Sequence, residues 1–268
     1  MNTPYVHGYD PRESQRLQDQ AHTLVDLLHG GTVYPPGSRV LEFGCGVGAQ
    51  TVTLARRSPQ AQFIAIDIGA ASVERARRCV ALAGLHNVQF VHADVLTWQI
   101  DSASFDHVFV CFVLEHLPHP EAALARLRML LKPGGTLTAI EGDHGLTAFH
   151  PDDPAARAVI ATQVELQRRA GGDAMIGRRL YPLLAAAGFE DVRVVPRMAY
   201  ADASRPAWVE GFTLKTFTAM IEGVRECALA AGLGAPADFD AGVRALQRCA
   251  EPDGVFCYTF FTATARAP

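Results

Sequence analysis

The chain has 268 residues, 49% hydrophobic and 19% charged, with a formal net charge of -4. That is enough chain for an ample core in one large α/β domain, with or without a cap. The acidic balance, with no basic run longer than two residues, argues against a nucleic-acid footprint. The polar N-terminus carries no apolar signal segment and no 18-residue apolar run occurs, so the expectation is a cytoplasmic protein without a membrane partner. Six cysteines without CxxC pairing read as reduced thiols, not as a disulfide frame or zinc site.

Asp10-Pro11-Arg12-Glu13 is a helix start: an Asp cap, Pro at the first helical position and Glu in the first turn. Leu17, Ala21, Leu24, Val25 and Leu28 form one apolar stripe, which Gly30 and Gly31 end. After the link TVYPPGS, a run of β-formers, Val40-Leu41-Glu42-Phe43, feeds a loop with Gly44, Gly46 and Gly48 at alternate positions. Such a loop lets the backbone turn sharply and a ligand approach closely. Strands FIAID, VQFVHAD, FDHVFVC and TLTAIE then alternate with helices near 49–57, 71–83 and 121–131. That alternation predicts a parallel, doubly wound sheet with right-handed crossovers. Beyond residue 142 the pattern is less regular. Helical periods cover 155–170 and 176–187, DVRVVPRMAYAD reads as a sixth strand, and GVFCYTFFTATARA is the most β-rich segment. The roughly 50 residues between those last two exceed a normal connection and read as an inserted helical cap.

The glycine loop by itself admits two ligands. Gly44, Gly46 and Ala49 satisfy a dinucleotide fingerprint, with Asp67 following about 20 residues on. Glu42 separates the readings. It ends the strand where a pyrophosphate would lie, and two like charges about 4 Å apart repel by roughly 4 kcal/mol at an effective dielectric of 20. A cationic, phosphate-free nucleoside, S-adenosylmethionine (SAM), suits that acid better. As an ordered set, residues 36 to 142 resemble the class I SAM-dependent methyltransferases, nearest the ubiquinone-biosynthesis-like small-molecule branch. The resemblance implies a Rossmann-like seven-stranded sheet with its last strand antiparallel. It further implies that Gly44 and Gly46 pass under the methionine moiety, Asp67 holds the ribose, and Asp94 with Val95 holds the adenine. Ile68 would pack on the adenine face, Cys111 and Phe112 would line the methionine end, and Gln50 joins the cofactor set. The implied organisation is an N-terminal lid helix over 1–35 and a methyltransferase domain over 36–268, with the cap at about 203–252.

Methyl transfer from a sulfonium needs positioning more than acid-base help, so candidate catalytic groups are few. Arg16 and Gln20, four apart beside the apolar stripe, face the expected cofactor cleft. Arg16 is assigned to the methionine carboxylate and Tyr9 to the sulfonium, against the alternative of a solvated Arg and a packing Tyr. Glu141-Gly142-Asp143-His144-Gly145 is expected to leave the fifth strand as an active-site loop. His144 is the leading base or acceptor-binding group and Asp143 its orienter, with a polar capped loop as the competing reading. His116, after the fourth strand, is a second candidate base or a packing residue. Arg178, Tyr181 and Tyr200 are assigned to substrate. With Arg179, Arg197, Lys215 and Trp208 they suggest an anionic acceptor with an apolar body. The reading is a SAM-dependent methyltransferase for a small metabolite, with the donor as cofactor, no metal, and dimer surfaces on the N-terminal helix and cap. The alternatives are a SAM-binding enzyme of the same fold that transfers no methyl, an NAD-dependent dehydrogenase, and a macromolecular methyltransferase.

Overall fold

The computed structural model describes residues 11–268. The first helix, α1 (Pro11–His29), stops at Gly30, where an added Cβ would meet the Asp26 carbonyl at 2.8 Å. Its Ala21, Leu24 and Leu28 are buried, as the stripe predicts. Next come β1 (Arg39–Phe43), α2 (Ala49–Arg57), β2 (Gln62–Asp67), α3 (Ala70–Leu82), β3 (Val88–His92) and β4 (Phe105–Cys111). A single 3-10 turn (Leu114–His116) leads to α4 (Pro120–Leu130), then β5 (Leu131–His150), α5 (Pro154–Arg169), α6 (Leu180–Ala186) and β6 (Glu190–Asp202). Helices α7 (Pro206–Trp208), α8 (Ala219–Gly223), α9 (Arg225–Ala230) and α10 (Pro236–Arg248) precede β7 (Val255–Arg266). A π-helical stretch, Val209–Thr218, joins α7 to α8.

The seven strands form one sheet in the order β3-β2-β1-β4-β5-β7-β6, and β7 runs antiparallel to both neighbours. Alternation along each strand splits the core between the two faces. Val40, Phe63 and Phe109 join α1 and the helices between β6 and β7, whereas Leu41, Val108 and Val110 join α4 and α6. Strand order reverses between β1 and β4, where open α/β sheets bind their ligands beyond the strand C-termini.

Two local departures from the sequence reading bear on function. The Glu141–Gly145 run is not a loop. It stays in β5 because the long β7 supplies backbone partners beyond the end of β4, with a bulge between Asp143 and Ala148. The π-helical stretch also lies closer to α1 than periodicity implies: a Cβ on Gly211 would fall 2.2 Å from the Thr23 hydroxyl. Among the described residues, no helix is long and apolar enough to cross a membrane.

Candidate active site

The glycine loop leaves β1 with Gly44, Gly46 and Gly48 at φ +74°, +52° and +83°, a left-handed run that strains any other residue. Packing demands two of the three. A Cβ on Gly44 would come within 2.4 Å of Val113, and one on Gly48 within 2.8 Å of the Ala76 backbone. Nothing lies within 4 Å of a Cβ on Gly46, so that face of the loop is open. Asp67, ending β2, holds the loop in place. Its two oxygens accept from the Gly46 and Gly69 N–H groups, each at 2.8 Å, while burial raises its pKa.

Glu42 lies beneath the loop, and its Oε2 has no hydrogen-bond partner among the described residues. Burial, reinforced by the neighbouring Asp67 charge, pushes its carboxyl up to about 8. This corrects the charge argument from sequence. Burial thus favours the neutral form of Glu42 in the absence of a ligand, and a cationic ligand would favour its carboxylate. The open Gly46 face and the buried Glu42 carboxyl, with one oxygen unpartnered among the described residues, are features a SAM-type ligand fits. At the β2 and β3 ends, Ile68 is 49% exposed and Asp94 is half-buried, with Oδ1 accepting from Leu96 N–H at 2.9 Å. Val95 is a core residue whose carbonyl accepts from Arg126 Nε at 3.4 Å. Gln50 is tied down instead of open: its amide oxygen sits 2.6 Å from His29 Nε2 of α1.

A cavity of about 60 Å³ lies alongside, bounded by α1, the 3-10 turn, β5, β7 and the π-helical stretch. Arg16, Gln20, Glu115, His116, His144 and Thr216 supply its polar atoms. Phe112, Phe212, Phe217, Met220, Tyr258 and Phe260 supply most of its apolar wall. Phe112 reaches it through a backbone at φ +56°, an uncommon conformation for a bulky residue, and its ring packs 5.6 Å from Phe260. Cys111 does not line the cavity. It is buried in the core, where burial pushes its thiol up.

His144 is fixed by its neighbours. Its Nδ1 lies 3.1 Å from the Ala174 carbonyl, which only accepts, and the tautomer that carries its hydrogen on Nδ1 leaves Nε2 a lone pair. Nε2 sits 3.5 Å from Met220 Sδ, and the Tyr258 hydroxyl is 2.9 Å from Nδ1. Burial lowers the imidazole pKa, as it does for His116, so both favour the neutral form. Glu115 accepts from Gln167 Nε2 at 3.2 Å and lies 3.8 Å from His116 Nε2. Beneath them Glu141 Oε1 accepts from the Val113 and Leu114 N–H groups at 3.0 and 2.8 Å. Burial and then the Glu115 charge hold the Glu141 pKa well above the usual carboxylate range.

Several expected contacts are overturned. Asp143 does not orient His144: adjacent strand residues face opposite ways, and Asp143 is bidentate to Arg178 at 2.5 and 2.7 Å. Arg178 is therefore occupied as a structural ion pair outside the cavity lining. Arg179 pairs with Asp173 and Lys215 with Glu210, while Arg197 is exposed on edge strand β6. Tyr181 and Tyr200 are surface residues, 58% and 38% exposed, and neither lines the cavity. Trp208 packs against Arg205, 4.2 Å from the guanidinium to the ring centre. Arg16 does line the cavity, but Glu13 holds its guanidinium bidentately at 2.7 Å, so it is not an open carboxylate clamp. Tyr9 lies outside the described residues. The sequence reading missed the wall from Phe212 to Met220 and from Tyr258 to Phe260. For β7, the alternation Phe256, Tyr258, Phe260 was the available signal.

The sheet order, the reversal between β1 and β4, and the glycine loop at that point define a Rossmann-like α/β fold. Residues 40–135 match a family described as a methyltransferase domain. Over 231 residues the chain is 28% identical to the trans-aconitate 2-methyltransferase of Deinococcus radiodurans, covering 80% of this chain and 84% of that one. It is 35% identical over 208 residues to an uncharacterized 37.1 kDa protein in a transposon of Streptomyces fradiae, covering 76% of this chain. It spans 59% of that relative's length. The crystal structure of the [4+2]-cyclase SpnF shares the fold, with TM-score 0.58 and 24% identity over 93% of this chain and 81% of that one. The match places a methyltransferase domain over residues 40–135.

Proposed function

We propose that the chain transfers a methyl group from SAM to a small molecule. The observation that carries this reading is the open Gly46 face beside Asp67 and the buried Glu42 carboxyl, whose Oε2 has no partner among the described residues, at the reversal in strand order. In this reading Gly44, Gly46 and Glu42 hold the methionine part, Asp67 the ribose, and Ile68, Asp94 and Val95 the adenine. When bound, SAM supplies an electrophilic methyl whose bonding pair to sulfur departs with the neutral thioether. His144 Nε2 takes up the proton that the acceptor loses, and the aromatic wall keeps water from the methyl path. Helix α1 and the helices between β6 and β7 act as the lid over this cleft, and the small cavity favours a small-molecule acceptor over a macromolecule.

The second reading, a SAM-binding enzyme that transfers no methyl, has one point in its favour: SpnF, of the same fold, is a [4+2]-cyclase. A labelled methyl donor in a metabolite extract separates the two. A labelled product together with S-adenosylhomocysteine (SAH) is expected, and SAM binding with neither labelled product nor SAH formed would overturn methyl transfer. Asp67→Asn should weaken SAM binding by about ten- to a hundredfold in calorimetry, because a carboxylate accepting hydroxyl hydrogen bonds is worth about 1.5–3 kcal/mol. Unchanged SAM affinity in folded Asp67→Asn would remove the cofactor assignment.

A further inference from the structure

The cavity beside His144 is distinct from the glycine loop, since neither Gly46 nor Asp67 lines it. Its walls have an unusual charge balance. The one cation among its described lining residues, Arg16, is already held by Glu13. A carboxylate, Glu115, faces it from the 3-10 turn, and among the described residues its side-chain neighbours are the Gln167 amide at 3.2 Å and the His116 imidazole at 3.8 Å. Around it stand rings that water barely reaches: Phe212, Phe217, Tyr258 and Phe260 are 1%, 3%, 3% and 2% exposed. They pack edge to face or tilted at 4.7–5.9 Å, so the box is rigid. Aromatic rings attract a cation by their negative faces, most strongly where water is excluded. A carboxylate adds to that attraction, and both repel an anion.

Volume narrows the ligand further. An apolar cavity of about 150 Å³ accepts benzene. At about 60 Å³ this one takes a head group of a few heavy atoms. We infer that the acceptor is a small aliphatic amine, or a larger molecule ending in one, whose ammonium head is held among the rings by Glu115. His144 Nε2 then takes one proton from the ammonium. The freed pair on nitrogen forms the bond to the methyl carbon, and the carbon–sulfur pair leaves on sulfur. The methyl-transfer step rests on the function proposed above, whereas recognition of the ammonium does not. This replaces the anionic acceptor expected from sequence, whose arginines lie elsewhere and are paired or exposed.

Three probes of nearly equal size separate the possibilities: ethylammonium, ethanol and acetate. Each is titrated by saturation-transfer NMR into the full-length protein, with and without saturating SAH. Ethylammonium should bind at least tenfold more tightly than ethanol, in both states, and acetate should not bind. Glu115→Gln, which keeps an acceptor for Gln167, should erase most of that preference, and Phe217→Leu should weaken ethylammonium several-fold. Thermal melts establish that both variants fold. Equal or tighter binding of ethanol or acetate would overturn the inference, as would absence of ethylammonium binding or its persistence in folded Glu115→Gln. Displacement of ethylammonium by SAH would also overturn it, because the cage would then belong to the cofactor. Failure of SAH to bind in calorimetry would count against the methyltransferase reading alone, and the titrations without SAH would still decide the amine cage.

Discussion

Replacing Glu42 with glutamine should change how stability depends on pH. The Glu42 carboxyl is fully buried, and its pKa is raised from the usual 4.5 to about 8. The folded protein therefore binds this proton more tightly than the unfolded chain does. The contribution to stability is fully present below pH 4.5, falls as pH rises from 4.5 to about 8, and is lost above that. At 1.36 kcal/mol per pH unit, the loss reaches about 3 kcal/mol by pH 7 and about 5 kcal/mol above pH 8. Glutamine carries no titrating proton. Its amide would occupy a place where Oε2 has no partner, at a pH-independent cost of about 1–3 kcal/mol. Absolute stability can thus move either way, and the observable is the slope. Urea unfolding of the ligand-free protein from pH 5 to 9 should show the wild type losing several kcal/mol relative to Glu42→Gln. A constant difference across that range would refute a neutral, buried Glu42. The same proton couples to the cofactor: a sulfonium favours the carboxylate, so SAM affinity should rise between pH 7 and 9. SAH, uncharged at sulfur, should show a smaller rise, and Glu42→Gln none in either case.

His144→Ala should leave the SAM dissociation constant within a few-fold and lower turnover by about 10², measured with the acceptor found by label transfer; an unchanged rate would return the residue to a packing role. Gly48→Ala should cost about 2–4 kcal/mol in urea unfolding, from left-handed strain plus the collision with Ala76. Gly46→Ala should cost only about 1–2 kcal/mol yet weaken SAM at least tenfold, since its Cβ meets no protein atom and enters the ligand's side. Equal stability losses with unchanged SAM affinity would contradict that division. Arg178→Ala should destabilise the fold by about 2–3 kcal/mol, below the range for a fully buried pair because Arg178 is half-exposed while Asp143 is not. A variant as stable as wild type would show the pair to be ornamental.

The sequence by itself determined the sheet and the glycine loop at its reversal. Those features are local: a strand, a positive-φ glycine loop and an acid at the next strand end each need only a few consecutive residues, and period-two alternation assigns each strand's faces. Gly46 and Asp67 could be paired because their spacing belongs to one βαβ unit. The cavity beside His144 was decided by tertiary structure. Glu115, His144, Phe217 and Tyr258 come from four segments far apart in sequence, brought together only once β7 pairs with β5 and the π-helical stretch packs on α1. Charge was the least legible property. Read along the chain, Arg16, Arg178 and Arg179 look like available cations and Glu42 looks like an anion. Folding pairs the three arginines with Glu13, Asp143 and Asp173 and buries Glu42 beside Asp67. Protonation and pairing depend on which groups share a desolvated volume, and a linear sequence does not specify that volume.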